Sequence, residues 1–364
     1  MLNCQLIVSE NSNHLQQIYF GFQLLQNSGL IYLKQTIDRD AAYFDKNRTL
    51  PFGAQSGGLK LILNTSIHIY YDMSDAHTID EDNLNWSDFY FKRSFNSDIH
   101  TNVSAKILPL DLNYMVKSNK FNWQNLVRTY QLSIGSERVK ACVRELDINN
   151  KMTYSPRIDE LQAKPSVDTP FKILFMCRLW EPEKDDHWQL TKAQQEDRIE
   201  INNVRVDCIR KLKKEFGKEF TGGLAPTTYA QNNFSDVVSS ASMTSKRNYI
   251  AELKKYPVCI STTGLANSTG WKFGEYVALS KAIVSEKLHS QTAGNMQKNI
   301  NYLQFDTADE CVEQVHKLRS NKALMANMMR ANHSYYINHL APDKLVMSSL
   351  QRALNLNQGN QGIK

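Results

Sequence analysis

The sequence predicts an α/β fold of two domains, each built around a parallel β-sheet. The chain has 364 residues, which is more than a single hydrophobic core usually serves. From residue 170 onward, short apolar runs alternate with amphipathic helical patterns, and this alternation is typical of a doubly wound parallel sheet. Residues 146–169 are polar and contain two prolines, so they predict a connection between a first domain, 1–150, and a second, 170–340.

In the second half, predicted strands are separated by predicted helices. The strands are short apolar or β-branched runs: FKILFMC (171–177), EFTGGL (219–224), VCIST (258–262) and AIVSE (282–286). The helices have apolar residues near helical spacing and lie at 196–216, 245–257, 269–281 and 306–320. Because ligands of such sheets bind outside the carboxyl ends of the strands, functional residues are expected directly after the strands.

The first half shows the same two patterns less regularly. A helix is predicted around residues 14–26, and the strands are CQLIVS (4–9), LIYLKQTI (30–37), LKLILN (59–64), IHIYYD (67–72), DFYFKR (88–93) and AKILPL (105–110). At the other end of the chain, residues 341–364 predict a further helix and a disordered tail, since the last ten residues, NLNQGNQGIK, are rich in Asn, Gln and Gly.

Composition and charge exclude several classes of protein. Hydrophobic residues make up 41% of the chain and charged residues 22%, as in a globular protein, and the net charge of +6 is spread along the sequence. Neither a basic helix stripe nor an RRM-like aromatic sheet is present, so no nucleic-acid partner is predicted. The N-terminus lacks a secretory signal, no apolar stretch reaches the ~18 residues of a membrane span, and the cysteines form no C-x-x-C pair. A cytoplasmic protein with reduced thiols is therefore expected.

The segment TTGLANSTGWKFGEYVALSKAIVSE (262–286) carries the clearest chemical signal. A loop of Gly, Ser and Thr follows a predicted strand and starts a helix, for which Ser268 or Thr269 is the expected N-cap. Free N–H groups at such a helix start bind phosphate. Lys272 lies in the first turn, where the helix dipole disfavours a cation, so it indicates an anionic partner. The alternative is that Lys272 and Glu275 form an ordinary surface pair three residues apart.

This segment resembles the donor-binding segment of the GT-B glycosyltransferases. In that family a glycine-rich loop leads into a helix whose glutamate holds the ribose hydroxyls of a nucleotide sugar, while the loop and helix start hold its diphosphate. The resemblance gives Glu275 the ribose contact. The loop and the diphosphate contacts fall on Thr263, Gly264, Ser268, Thr269, Gly270 and Lys272.

The resemblance has one departure. Many retaining members of the family carry a second glutamate eight residues before the first, and here that position is Asn267. Asn267 stays a candidate donor contact, but the resemblance does not imply a retaining reaction. The K-x-x-E spacing of Lys272 and Glu275 is closer to the R-x-x-E of exostosin-like transferases.

Two further segments resemble the same family. KILFMCRLWEPEK (172–184) is similar to the strand and loop that open its nucleotide-binding domain, which puts Arg178 and Lys184 on the diphosphate; a solvated loop arginine is the alternative. Residues 332–355 resemble the C-terminal helices that cross back to the first domain. The resemblance implies a GT-B fold, with two Rossmann-like domains facing a cleft, and a UDP- or GDP-sugar donor without a cofactor. Trp180, Trp188 and Trp271 are candidates for stacking on the base or sugar, or for the core.

Catalytic candidates in the first domain follow two predicted strands. Asp72 and Asp75 end IHIYYDMSD, and Lys92 and Arg93 end DFYFKR. An aspartate there could accept a proton from an acceptor hydroxyl, and a cation could contact phosphate; turn-forming aspartates and a solvated basic pair are the alternative. The histidines at 77 and 100 are further candidate bases. No histidine spacing suits a metal, so no metal site is predicted.

The leading functional hypothesis is transfer of a sugar from a nucleotide diphosphate sugar to a glycan or glycolipid acceptor, in the synthesis of cell-surface polysaccharide. The alternatives are a nucleotide-sugar epimerase, a polyol-phosphate transferase of the same fold, and a non-catalytic protein that binds polyanions. Residues 121–145 contain basic and aromatic side chains that would suit peripheral contact with the inner face of the plasma membrane if the acceptor is lipid-linked.

Overall fold

The computed structural model describes residues 1–38, 58–133, 135–147, 151, 154–185 and 189–361. The chain divides into a first unit, Met1–Asp159 with Ser290–Asn295 and Ile337–Lys364, and a second unit, Glu160–His289 with Met296–Tyr336. The second domain predicted from the sequence, 170–340, includes residues 290–295. In the structure these residues belong to the first unit, to which backbone hydrogen bonds join them. The Gln291 N–H donates to Phe95 O and the Ala293 N–H to Leu110 O, both at 2.7 Å.

The first unit contains a six-stranded sheet in the order β2-β1-β3-β4-β5-β6. Its strands are β1 Leu2–Val8, β2 Ile31–Ile37, β3 Gly58–Leu63, β4 Ile67–Asp72, β5 Phe89–Lys92 and β6 Ile107–Pro109. Its helices are α1 Gln16–Asn27, α2 Glu81–Trp86, α3 Ser97–His100, α4 Trp123–Leu132 and α5 Gly135–Leu146, followed by α6 Ile158–Leu161 at the boundary with the second unit.

The sheet of the first unit is mixed, which corrects the prediction of a parallel sheet. Strand β3 is antiparallel to both of its neighbours, whereas the other pairs are parallel. Only three residues join β3 to β4, and a parallel crossover needs about a dozen or more. Asn64 and Thr65 take positive φ values of 50° and 67° in this tight turn. Strands β1, β4, β5 and β6 still run in one direction, so their carboxyl ends share an edge.

The second unit contains five parallel strands in the order β11-β10-β9-β7-β8. They are β7 Ile173–Cys177, β8 Phe220–Leu224, β9 Val258–Ser261, β10 Ala282–Ser285 and β11 Leu303–Gln304, so all four predicted strands are present. Its helices are α7 Lys192–Phe216, α8 Thr228–Asn233, α9 Ala241–Thr244, α10 Lys246–Leu253, α11 Trp271–Ala278, α12 Ala308–Ser320 and α13 Lys322–Tyr335. Every residue of β7, β9 and β10 is buried, as expected for a parallel sheet covered on both faces.

The C-terminal segment returns to the first unit. After a π-helical turn, Tyr336–Leu340, helix α14 (Pro342–Gln361) packs on α1. The two helices approach closely at Gly21, where a Cβ atom would lie 2.2 Å from Pro342 O. The Tyr71 hydroxyl also lies 2.7 Å from Ser349 Oγ. The tail predicted to be disordered is helical up to Gln361, and residues 362–364 lie outside the described part of the chain.

The predicted two-domain α/β architecture is confirmed, with one mixed and one parallel sheet. Among the residues that the structure describes, no helix combines the length and the apolar character needed to cross a lipid bilayer.

Candidate functional site

The candidate donor site lies at the carboxyl edge of the second sheet, where Arg205 ties two loops together. This arginine of α7 donates hydrogen bonds to Arg178 O (2.7 Å), Thr262 Oγ1 (3.1 Å) and Thr263 O (2.9 Å). Its side chain is buried, so the guanidinium serves to position the segments that follow β7 and β9. Sequence reasoning missed Arg205, because it sits in the middle of a helix far along the chain from both loops.

Lys272 lies in the first turn of α11, as predicted, but its ammonium turns toward the end of β7. Nζ donates to Met176 O and lies 5.0 Å from the centre of the Tyr249 ring. The pKa of the Lys272 amine is lowered to about 8, chiefly by burial; the charges of Lys246 and Arg205 add to this lowering, and that of Glu275 opposes it. A buried amine of this kind holds its proton more firmly when an anion lies close to it, because the anion stabilises the charged form.

Glu275 is fully buried on the inner side of α11, with 0% of its surface exposed. Oε1 accepts a hydrogen bond from Lys246 Nζ. Oε2 is buried without a hydrogen-bond partner among the described residues. The interpretation of Lys272 and Glu275 as an exposed surface pair is therefore wrong. A buried carboxylate oxygen without a donor is costly, and a ligand hydroxyl would relieve that cost.

The loop between β9 and α11 folds back on itself. The Gly264 N–H donates to Ser268 O at 2.8 Å, and the Ser268 N–H donates to Leu265 O at 3.2 Å. Between these bonds Ala266 and Asn267 take left-handed φ values of 55° and 58°. The loop is thus held by its own backbone, with Ser268 buried and Asn267 exposed.

The start of α11 carries no side-chain cap. Its N-cap residue is Gly270, so the prediction that Ser268 or Thr269 caps the helix is wrong. The Phe273 N–H donates to Gly270 O at 3.0 Å. Backbone N–H groups at the start of a helix point out of that end and favour an anionic group there. Gly270, Lys272 and Glu275 thus lie together at the start of α11, whereas the other predicted residues of this segment lie in the loop before it.

The loop after β7 places its candidate residues differently. Arg178 is exposed and its guanidinium carbon lies 3.9 Å above the Trp180 ring, whose Nε1 is buried without a partner among the described residues. The Lys184 side chain is exposed, and the residue contributes its carbonyl oxygen to Arg198 NH1 at 3.0 Å. Arg178 thus remains at the site, whereas Lys184 is held through its backbone. Trp188 lies outside the described residues, and Trp271 is half-buried.

In the first unit, Asp72 is a buried, fully bonded carboxylate. Oδ2 accepts from Lys92 Nζ at 2.7 Å and from the Tyr90 hydroxyl at 2.5 Å. Oδ1 accepts from the backbone N–H and the hydroxyl of Ser74 at 2.9 and 2.6 Å. With four donors on its two oxygens, Asp72 holds the ends of β4 and β5 together and has no oxygen left to take a proton from an acceptor.

Asp75 and Arg93 form an ion pair at the same edge, and the side chain of Asp75 is 39% exposed. His14, which follows β1, belongs to this group. Burial lowers the pKa of the His14 imidazole, while Asp75 raises it and Arg93 lowers it. The structure therefore brings a histidine to the predicted Asp75 and Arg93. Sequence reasoning missed it because His14 precedes a helix rather than ending an obvious strand.

The two histidines predicted as alternative bases hold loops. The ring Nδ1 of His77 lies 2.7 Å from Ser94 O, and the ring Nε2 of His100 lies 2.8 Å from His77 O. His100 Nδ1 accepts the Asn96 N–H at 2.8 Å. Both imidazoles are thus engaged by the backbone around α3. Within the described ranges, no three His, Cys, Asp or Glu side chains group as a metal site would require.

Comparison with known proteins gives weak likenesses only. No family model and no curated protein matches the sequence. Solved structures that resemble the chain include a glycosyltransferase from Rickettsia africae, at 11% identity over 95% of this chain and 83% of that one, with a TM-score of 0.42. Anabaena Alr3699/HepE in complex with UDP is 10% identical over 96% and 85% of the two chains, with a TM-score of 0.38.

A third similar structure is the C-terminal domain of the glycosyl transferase group 1 family protein LpcC from Francisella tularensis. It is 8% identical and is matched over 50% of this chain and 97% of its own length, with a TM-score of 0.35.

Proposed function

We propose that the protein is a glycosyltransferase whose second unit binds a nucleotide diphosphate sugar of the UDP or GDP type. The observation that carries this proposal is the buried carboxylate of Glu275, whose Oε2 lacks a partner among the described residues, one turn from an uncapped helix start. Ribose hydroxyls are donors that would satisfy this oxygen. The diphosphate would accept from the first N–H groups of α11 and lie near the ammonium of Lys272.

The same groups would stabilise the departing diphosphate. Negative charge grows on the leaving group as the glycosidic bond to the donor breaks, and fixed cations and backbone dipoles lower the energy of that state. Arg178 is exposed at the end of β7 and can form bidentate contacts with phosphate oxygens. We propose that these protein cations supply the charge that a metal ion supplies in other transferases.

The first unit would bind the acceptor and supply the base. A proton must leave the acceptor hydroxyl as it attacks the sugar, and a neutral imidazole near neutral pH suits that role. His14 has the environment for it, because burial disfavours its charged form while Asp75 can stabilise the imidazolium once formed. In this proposal Asp75 supports the base, Arg93 pairs with Asp75, and Asp72 has a structural role.

A peripheral membrane contact would bring a lipid-linked acceptor to this unit. Helices α4 and α5 each expose apolar residues at spacings of four and three, which form one stripe per helix. The stripes consist of Trp123, Val127 and Tyr130 on α4 and of Val139, Val143 and Leu146 on α5. Lys140 and Arg144 are exposed beside the second stripe. An apolar surface with adjacent cations complements an anionic bilayer at the inner face of the plasma membrane, and we place the enzyme in glycan synthesis there.

Flotation with lipid vesicles tests the membrane contact. We expect the protein to float with vesicles that contain phosphatidylglycerol and not with pure phosphatidylcholine. The double variant Val139→Ser/Val143→Ser should lose this association, whereas Ile300→Ser, an exposed residue of the second unit, should keep it. If the wild type does not bind vesicles but self-associates, and the double variant abolishes this self-association, the stripes form a protein interface instead.

Nucleotide binding tests the transferase itself. A thermal-shift screen of UDP, GDP, CDP and TDP and their sugars should show stabilisation by one of them, because a ligand of the native state raises its stability. Glu275→Gln should abolish the shift, while Glu252→Gln, a carboxylate on the outer side of α10, should leave it unchanged. Product analysis with labelled donor then separates transfer from epimerisation, which needs no acceptor. Strongly salt-dependent binding of DNA or RNA without any nucleotide response would favour the polyanion-binding alternative.

A further inference from the structure

The first unit contains a cavity of about 480 Å³ beside helices α4 and α5, here termed the hairpin pocket. Its walls come from residues 11–13 and 16 after β1, from residues 115–118 after β6, and from the inner faces of the two helices. Because β1 and β6 end at the same sheet edge as β4 and β5, the pocket and the pair Asp75–Arg93 occupy one edge. His14 falls between the lining residues Asn13 and Gln16.

Arg128 organises the floor of the hairpin pocket. Its guanidinium is buried, 3.7 Å from the centre of the Tyr19 ring, and its Nε and NH2 donate to the side-chain oxygens of Asn11 and Asn125 at 3.0 Å each. Asn11 Nδ2 in turn donates to Thr129 Oγ1 at 2.8 Å. A charge-assisted anchor of this kind fixes the orientation of both amides before any ligand binds.

Two polar groups of the lining are left for a ligand. With the Asn125 oxygen committed to Arg128, its NH2 group has no hydrogen-bond partner among the described residues. The Ser12 hydroxyl is buried and likewise lacks a partner within that part of the chain. Buried polar groups are nearly always hydrogen-bonded, so the Ser12 hydroxyl indicates a polar occupant, and the half-buried Asn125 amide beside it can donate to a hydroxyl of that occupant.

The charges of the lining favour an anion. Lys117, Lys120 and Arg144 face the pocket against a single acid, Glu145. Burial raises the pKa of the Glu145 carboxyl and lowers that of the Lys117 amine, whose Nζ donates to Asp147 O at 3.1 Å. Lys120 and Arg144 therefore supply the excess positive charge of the lining. Phe121 and Tyr154 add flat apolar surfaces, on which a sugar ring can stack. Amides, hydroxyls, aromatic rings and excess positive charge together match a saccharide that carries an acidic group.

We propose that the hairpin pocket binds an anionic saccharide, a sugar bearing a phosphate or a carboxylate, as the acceptor. Lys120 and Arg144 hold the acidic group, and the Asn125 amide and the Ser12 hydroxyl hold sugar hydroxyls. The identity of this ligand as acceptor rests on the proposed transferase function. The existence of the pocket ligand does not, because every contact lies in the first unit.

Calorimetric titration with four probes tests the proposal: glucose 1-phosphate, glucuronate, methyl glucoside and inorganic phosphate. We expect at least one of the two anionic sugars to bind, and both the neutral glycoside and phosphate alone to bind at least 10-fold more weakly. The arms with glucose 1-phosphate and glucuronate identify which acidic group is preferred. Binding of inorganic phosphate as tight as that of the sugars would overturn the proposal, since the pocket would then recognise charge without a saccharide.

Charge-neutral variants locate the binding. Lys120→Gln/Arg144→Gln should weaken the anionic sugar at least 10-fold, whereas Lys140→Gln, exposed on α5 but absent from the lining, should not. Asn125→Ala should weaken both anionic and neutral sugars. If both charge variants behave alike, the assignment of the pocket is wrong. Nucleotide binding measured on the same samples reports separately on the second unit. Sugar binding without nucleotide binding would support the pocket proposal and contradict the proposed transferase function.

Discussion

Replacing Lys272 by methionine should stabilise the free protein at neutral pH while removing nucleotide binding. The lowered pKa of about 8 lies about 2.5 below the ordinary value of 10.5, which at ~1.36 kcal/mol per pKa unit corresponds to about 3 kcal/mol. The unfolded chain holds this proton more tightly than the folded protein does, so the charged amine destabilises the fold at pH 7. Losing its hydrogen bond to Met176 O offsets part of the gain, and we expect a net increase in the free energy of unfolding of ~1–2 kcal/mol.

The pH dependence of this difference is the sharper measurement. Stability of the wild type should rise, relative to the variant, as pH increases from 8 to 10.5, because the folded protein has already released the proton that the unfolded chain still holds. Urea unfolding of both proteins at pH 7 and pH 10 gives the two differences, and Lys214→Met, an exposed lysine of α7, is the matched control. A variant less stable than the wild type at pH 7, or a difference that does not change with pH, would refute the reasoning.

Three further substitutions test the framework around the sites. Asp72→Asn leaves the Lys92 ammonium buried without its counter-charge, and urea unfolding should show a loss of ~3–5 kcal/mol; a loss below 1 kcal/mol would contradict the buried ion pair. Arg205→Gln removes the hydrogen bonds that position the loops after β7 and β9, so calorimetry should show weaker nucleotide binding. Unchanged affinity would mean that these loops keep their positions without Arg205. Gly21→Ala forces a Cβ against Pro342 O and should lower unfolding free energy by ~1–3 kcal/mol, whereas Gly359→Ala, with open space around it, should not.

The sequence was sufficient to predict those elements that depend on residues close together in the chain. Each strand of the second sheet that was predicted is a continuous apolar or β-branched run, and burial on both faces makes such runs easy to recognise. The segment 262–286 was also placed correctly, because a Gly/Ser/Thr loop between a strand and a helix is a local pattern. The N-cap prediction was wrong for a local reason too. Ser268 closes the loop by accepting the Gly264 N–H at its carbonyl oxygen, and Gly270 takes the cap position.

The residues that sequence reasoning missed act across long separations. Arg205 bonds to loops 27 and 58 residues away, and Lys246 reaches Glu275 across 29 residues. Periodicity places such side chains on a buried helix face, where an apolar residue would be the ordinary expectation, and gives no sign of the partner. The antiparallel β3 was missed because alternation identifies a strand without giving its direction; the three-residue connection to β4 was the signal that could have decided it.

Two buried carboxylates that pair with lysines, Asp72 and Glu275, can be told apart by what they leave unbonded. Asp72–Lys92 joins the ends of β4 and β5, and Glu275–Lys246 joins α11 to α10; in each pair the carboxylate is almost wholly buried. Asp72 accepts four hydrogen bonds, so its pair is complete without a ligand. Glu275 keeps Oε2 unpaired among the described residues, and its partner Lys246 is 31% exposed.

This difference predicts opposite outcomes for matched substitutions. Asp72→Asn should cost stability while the remaining folded protein binds nucleotide as before, because the lost bonds lie in the first unit. Glu275→Gln removes a buried charge that was only half satisfied, so its cost in unfolding free energy should be smaller than that of Asp72→Asn, while nucleotide affinity should fall by more than 10-fold. Measuring the free energy of unfolding and the nucleotide affinity of both variants separates a carboxylate that stabilises the fold from one that binds a ligand. Equal losses of affinity would contradict the assignment of Glu275 to the donor site.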